Sequence, residues 1–141
     1  MTLTEIYADL IRRGVRCFSG SYGMDAPTDA VAIRLTGGAW GIFLDERRIR
    51  TTAEEKVATS HEWAHIVTDA TYSIEAPREL KRLAETIATR KQIEAVLPWE
   101  VLAQYLRQNV PQYDIADREG VTEDFVRLAL DYYINKRGMR P

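Results

Sequence analysis

Only two histidines occur in this chain, and both stand in the stretch His61-Glu62-Trp63-Ala64-His65. Residues four apart on a helix lie almost directly above one another, so two imidazoles at that spacing can converge on one metal ion. The pattern is H-E-x-x-H, in which two ring nitrogens bind zinc and the glutamate beside the first histidine stands to one side as a general base. The pattern therefore demands a helix across residues 61–65, and a second element packed on it to complete a metal site.

The flanking sequence agrees with that demand. Thr51-Thr52-Ala53-Glu54-Glu55 is a capping-box sequence in either register, which starts a helix just before Glu54 and carries it through both histidines to about Thr68. Upstream, Leu3, Ile6, Tyr7, Leu10 and Ile11 keep a helical rhythm from Leu3 to Arg13, with Gly14 as its stop. Val15 to Phe18 reads as a short strand, and residues 19–29 read as a loop. Ala30 to Leu35 and Trp40 to Leu44 read as two strands joined at Thr36-Gly37-Gly38, a hairpin. Beyond the motif, 72–77 is a loop and 78–95 a long helix with Leu80, Leu83, Ala84, Ile87 and Ala88 in register. Pro98 closes that helix, a further one runs from Trp99 to Arg107, and the tail forms two short helices around Gly120. The expected fold is α+β: a small antiparallel sheet in the N-terminal part, a motif helix, and a helical C-terminal half. At 141 residues the expectation is one domain over 1–141.

Composition narrows the chemistry. With no third histidine, and Cys17 in the sheet region, the third zinc ligand must be a carboxylate. Glu75, Glu79, Glu85 and Glu94 are the acidic residues on the segments that follow the motif. Glu85 is favoured because Ala84 and Ala88 flank it and permit close helix approach, whereas Glu79 lies at a helix end and Glu94 near Arg90 and Lys91. Glu62 would take a proton from a water at the metal's open position, and Tyr72, just past the motif helix, is a candidate donor to the oxyanion. A lone cysteine excludes an internal disulfide, and Cys17 is expected to be a buried core thiol. A net charge of -2 gives no general attraction to nucleic acid or an anionic membrane. The first ten residues lack a basic segment followed by an apolar run, and no apolar stretch nears spanning length, so the expected location is the cytoplasm. A motif this short also arises by chance; His61 and His65 would then be partly buried polar residues on an amphipathic helix.

Together these residues resemble the ImmA/IrrE-type metallopeptidases of bacteria, phages and integrative elements. The resemblance runs from about Val31 to about Tyr133. It is carried by Gly41-Ile42-Phe43-Leu44-Asp45, by Thr52 to Glu55 leading into His61-Glu62-Trp63-Ala64-His65-Ile66-Val67-Thr68, and by Glu85-Thr86-Ile87-Ala88 ahead of Ala95-Val96-Leu97-Pro98. It implies a zincin-like fold, His61, His65 and Glu85 as zinc ligands, and Glu62 as general base. It also implies an endopeptidase whose substrate is a protein regulator such as a helix-turn-helix repressor. The chain departs from the family pattern in three places. Trp63-Ala64 replaces Leu-Gly, which is expected to alter the substrate groove. Thr89 stands where an Asp or Asn would orient a histidine ligand, and Lys91 stands where an aromatic is usual.

Residues 114–128 also carry a helix-turn-helix pattern, with Ala116, Gly120 and Val126 at its small, turn and core positions. From Asp114 to Asp131 six acidic residues face only Arg118 and Arg127, a net charge of -4 that phosphates would repel. The helices of about 112–136 are therefore expected to pack on the core, with no direct nucleic-acid contact. Two other classes fit the same features: a module that sequesters a regulator without cutting it, and a helix-turn-helix-like module that binds protein.

Overall fold

The computed structural model describes residues 1–21 and 28–141; the central part of the loop expected over 19–29 lies outside them. The fold is α+β and mostly helical. Helix α1 (Leu3–Arg12) precedes strands β1 (Arg16–Gly20), β2 (Ala30–Arg34) and β3 (Trp40–Asp45). Helices α2 (Thr52–Val67), α3 (Arg78–Val96), α4 (Trp99–Arg107), α5 (Gln112–Glu119) and α6 (Glu123–Leu130) follow, and α6 runs on into a π-helical stretch at Asp131–Lys136.

The hairpin forms as expected: β2 pairs antiparallel with β3, and Gly37 and Gly38 make the turn at φ of 93° and 90°, angles that a residue with a Cβ resists. The sheet as a whole, however, is mixed rather than antiparallel. Its order is β1-β3-β2, and β1 lies parallel to β3 with Phe18 opposite Phe43 and their rings stacked 4.9 Å apart. Strand β3 reads Gly-Ile-Phe-Leu, apolar on both faces, which suits the central position. Alternation along a strand does not encode the direction of its partner. Cys17 is exposed, not buried, because β1 is an edge strand with nearly every residue exposed.

The start of the helix that carries both histidines is set locally. Thr51 caps α2, its hydroxyl accepting from the Glu54 amide at 3.1 Å while the Glu54 carboxylate accepts from the amides of Arg50 and Thr51. On α3 the buried face is Ala84, Ala88, Gln92, Ile93 and Val96. Leu80, Leu83 and Ile87, in helical register with the alanines, are exposed at 55%, 56% and 37%. The small side chains face α2 and allow close approach, which leaves the larger ones outside the contact. Ile115, Ala116, Val121, Phe125 and Val126 of the C-terminal helices join one buried cluster with Ile42, Trp63, Ala64 and Ala88. Gly120 ends α5 in the left-handed region (φ 64°), which turns the chain into α6. Among the described residues no helix is long and apolar enough to cross a membrane.

Candidate metal centre

Helix α2 places His61 and His65 one turn apart, with their Nε2 atoms 3.2 Å from each other. Across the α2–α3 contact, Glu85 Oε2 lies 3.0 Å from His61 Nε2 and Glu85 Oε1 lies 3.3 Å from His65 Nε2. One donor atom from each of the three residues falls within 4.8 Å of the others. The alanines that permit this approach, Ala84 and Ala88, bracket Glu85 on the buried side of α3.

The far ring nitrogens define the tautomers. His65 Nδ1 lies 2.6 Å from the carbonyl of Ala70, which can only accept, so that nitrogen carries the proton. The chain returns to this point because Asp69 adopts φ 52° just after α2. His61 Nδ1 lies 3.2 Å from Gln92 Oε1. The Gln92 amide cannot be turned round, since its Nε2 already donates to the Val57 carbonyl at 2.7 Å and to Ser60 Oγ at 2.8 Å. Both histidines are thus held with Nε2 lone pairs facing each other and a carboxylate. Three acceptors that converge in this way require a cation between them, either an added proton or a metal ion. Two imidazoles and one carboxylate are a donor set that suits zinc with a position left open. The residues fit the group.

Charge at the centre follows the same logic. Hydrogen bonds from His61 and then His65 hold the Glu85 carboxyl far below the usual carboxylate range, against the opposing effect of burial. Burial disfavours the charged form of His65, but the bonds to Glu85 and Ala70 outweigh it and its pKa is raised. Tyr72 donates to Glu85 Oε1 at 2.7 Å, and that bond, with burial, pushes its phenol up to about 12. Its ring stands edge-on to His65 at 6.1 Å. Tyr72 therefore reaches the centre, anchored first of all on the third ligand candidate.

Glu62 points elsewhere. With His61 it lines a cavity of about 720 Å³ whose other walls include Ala30, Val57, Thr89 and Phe125. Burial pushes its carboxyl up, while the two histidines and the Ala32 backbone pull the other way. All five residues singled out by sequence are thus gathered at one place, four around the metal position and Glu62 at the cavity.

The structure accounts for the three departures from the family pattern. The partner that orients His61 is Gln92, one turn beyond Thr89, while Thr89 lines the cavity. Gln92 continues the Ala84–Ala88 line in steps of four, and a buried-face glutamine at that register was the available signal. The Ala70 carbonyl has no side-chain signal. Trp63 does not shape the groove: it is buried in the core, with Nε1 donating to Asp9 of α1 at 2.8 Å and the Lys91 ammonium 5.8 Å from its ring centre. Lys91, where the resemblance led to an aromatic, covers that indole.

Fold and site together define a small, mostly helical α+β protein with a His-His-Glu cluster able to hold a metal ion. No family model matches the chain, and no curated protein matches it.

Proposed function

We propose that this protein is a zinc-dependent endopeptidase of the ImmA/IrrE kind, with a zincin-like fold, acting in the cytoplasm on a protein regulator such as a helix-turn-helix repressor of a phage or mobile element. The observation that carries the reading is the joint geometry of His61, His65 and Glu85, with Glu62 set beside them at the cavity rather than among the ligands.

His61, His65 and Glu85 would hold the zinc. When bound there, zinc lowers the pKa of a coordinated water towards neutrality and polarises a carbonyl. Gln92 and the Ala70 carbonyl keep both rings in the tautomer that presents Nε2. Glu62 takes the proton from the attacking water and later delivers it to the leaving amine, and its burial-raised carboxyl suits a group that must both accept and return a proton. The Tyr72 phenol, kept protonated, would turn its one O–H from Glu85 to the developing oxyanion. Strand β2 is an edge of the sheet, and its Ala32 backbone reaches Glu62. An extended substrate segment laid along that edge would pass the general base.

Zinc content and cleavage of a peptide mixture, read by mass spectrometry, test the proposal in wild type, Glu62→Gln and Glu85→Ala. We expect Glu62→Gln to retain zinc and lose cleavage, and Glu85→Ala to lose zinc. Undiminished cleavage by Glu62→Gln would remove that residue from the mechanism, and full zinc occupancy in Glu85→Ala would remove the third ligand.

A further inference from the structure

Adjoining the Glu62 cavity at Thr89 and Leu128 lies a second groove, of about 470 Å³. One wall is α3, where Arg82, Thr86 and Arg90 succeed one another in steps of four and so share a face. The opposite wall is the end of the chain, where Leu128, Tyr132 and Lys136 repeat the same step. Arg137 completes the lining at the Tyr132 end. Arg90 and Arg137 lie 6.0 and 5.9 Å from the Tyr132 ring centre, so cations gather around an apolar floor.

The charge balance is one-sided. Lys136 pairs with Asp131 at 3.4 Å and Arg137 with Glu94 at 3.3 Å. Among the described residues no carboxylate pairs with Arg82 or Arg90. The one carboxylate in the lining, Glu85, is committed to His61, His65 and Tyr72. The cavity beside Glu62 has the opposite character, carrying Asp29, Glu54, Glu62 and Asp124 against Arg48. The two grooves meet, since Thr89 and Leu128 line both.

From this we infer that the groove between α3 and the C-terminal π-helical stretch is a docking site for an acidic, leucine-rich segment of the substrate protein, held by Arg82 and Arg90 and seated over Leu128 and Tyr132. The inference rests on the peptidase reading for the word substrate, not for the binding itself. Charge complementarity selects the occupant: carboxylates answer the two guanidiniums that no described carboxylate pairs, and apolar side chains answer the floor. The acidic neighbouring cavity repels the same segment, so a bound chain is registered with its acidic part on the Arg82–Arg90 side of the metal position. Arg82 and Arg90 are exposed, and their replacement leaves the core intact.

The test uses zinc-loaded Glu62→Gln protein and a short fluorescein-labelled peptide of alternating glutamate and leucine, read by anisotropy. We expect binding that weakens with salt and falls about tenfold or more in Arg82→Glu/Arg90→Glu. A lysine–leucine counterpart is expected to bind worse than the acidic peptide. Equal binding of the two peptides, or binding indifferent to the double charge reversal, would overturn the inference. So would tighter capture of a single-stranded oligonucleotide than of the acidic peptide. If the acidic peptide binds through Arg82 and Arg90 while wild type cleaves nothing, the groove stands and the peptidase reading falls. If wild type cleaves and the charge reversal leaves peptide binding untouched, the groove falls alone.

Discussion

At the scale of single residues, the centre depends on groups that set the direction of a lone pair. Gln92 is buried and spends its amide on three groups: it accepts from His61 and donates to Val57 and Ser60, so its oxygen has one orientation. Without that acceptor, the His61 ring is free to carry its proton on Nε2, the atom that faces Glu85. Outer partners of ligand histidines are typically worth about 10–100-fold in metal affinity. We therefore expect Gln92→Leu to weaken zinc binding by about that factor, measured by competition with a chromophoric chelator. Gln92→Glu keeps an acceptor for His61 but turns a second oxygen towards the Val57 carbonyl, so it should recover part of the affinity at a cost in stability. If Gln92→Leu binds zinc as tightly as wild type, the glutamine has no part in positioning His61.

At the scale of elements, the Asp9 carboxylate ties α1 to α2, alongside the Tyr7 hydroxyl that donates to Glu55. Asp9 accepts from Trp63 Nε1 and from Arg12 and Arg13, and the indole bond, followed by Arg13, holds its carboxyl at about 2 against an ordinary 3.8. A carboxyl depressed in the folded state stabilises above its unfolded pKa and loses that contribution as pH falls through the folded one. The arginines are solvent-screened, so the expected contribution is about 1–2 kcal/mol rather than the full shift. In urea unfolding, Asp9→Asn should be less stable by that amount at neutral pH. The gap should be complete above pH 3.8 and close as pH falls through about 2; a gap that persists under acid would mean that Asp9 acts by shape, not charge. Elements whose cause is local were legible from sequence. The Thr51–Glu54 cap, the Gly37-Gly38 turn and the His61–His65 spacing each need only near neighbours. What failed depends on distant partners. Period-two alternation is the same in parallel and antiparallel strands, so β1's direction was invisible. Helical period finds the apolar residues of α3 but not which of them a neighbouring helix covers, so the exposure of Leu83 and Ile87 was invisible too. Trp63 was misplaced for a related reason: its position follows from the Asp9 bond to another helix.

At the scale of the whole molecule, the helix-turn-helix-like tail becomes part of the cleft. Thr122, Asp124, Phe125 and Leu128 of this tail line the cavity that Glu62 faces, while Val121, Val126 and Ala129 sink into the core. The tail is held to α2 by Lys56, 7% exposed, whose ammonium donates to the Glu119 carbonyl at 2.6 Å. That carbonyl stands at the C-terminal end of α5, where helix carbonyls lack helical partners and the macrodipole favours a cation. Two effects oppose each other in such a contact. Burial makes the ammonium costly and lowers its pKa. Removing the donor strands a carbonyl, at a cost of about 1–3 kcal/mol. Because the bond is short and falls on a helix terminus, we expect the second effect to win. Lys56→Met, which keeps an unbranched side chain but lacks the terminal ammonium, should then lower stability by about 1–2 kcal/mol in urea unfolding. Zinc affinity should be unchanged, since the ligand candidates sit on α2 and α3 alone. A variant as stable as wild type would mean that desolvation of the ammonium already cancels the bond. The tail would then be held against the core chiefly by its buried apolar residues, Ile115, Val121, Phe125 and Val126 among them.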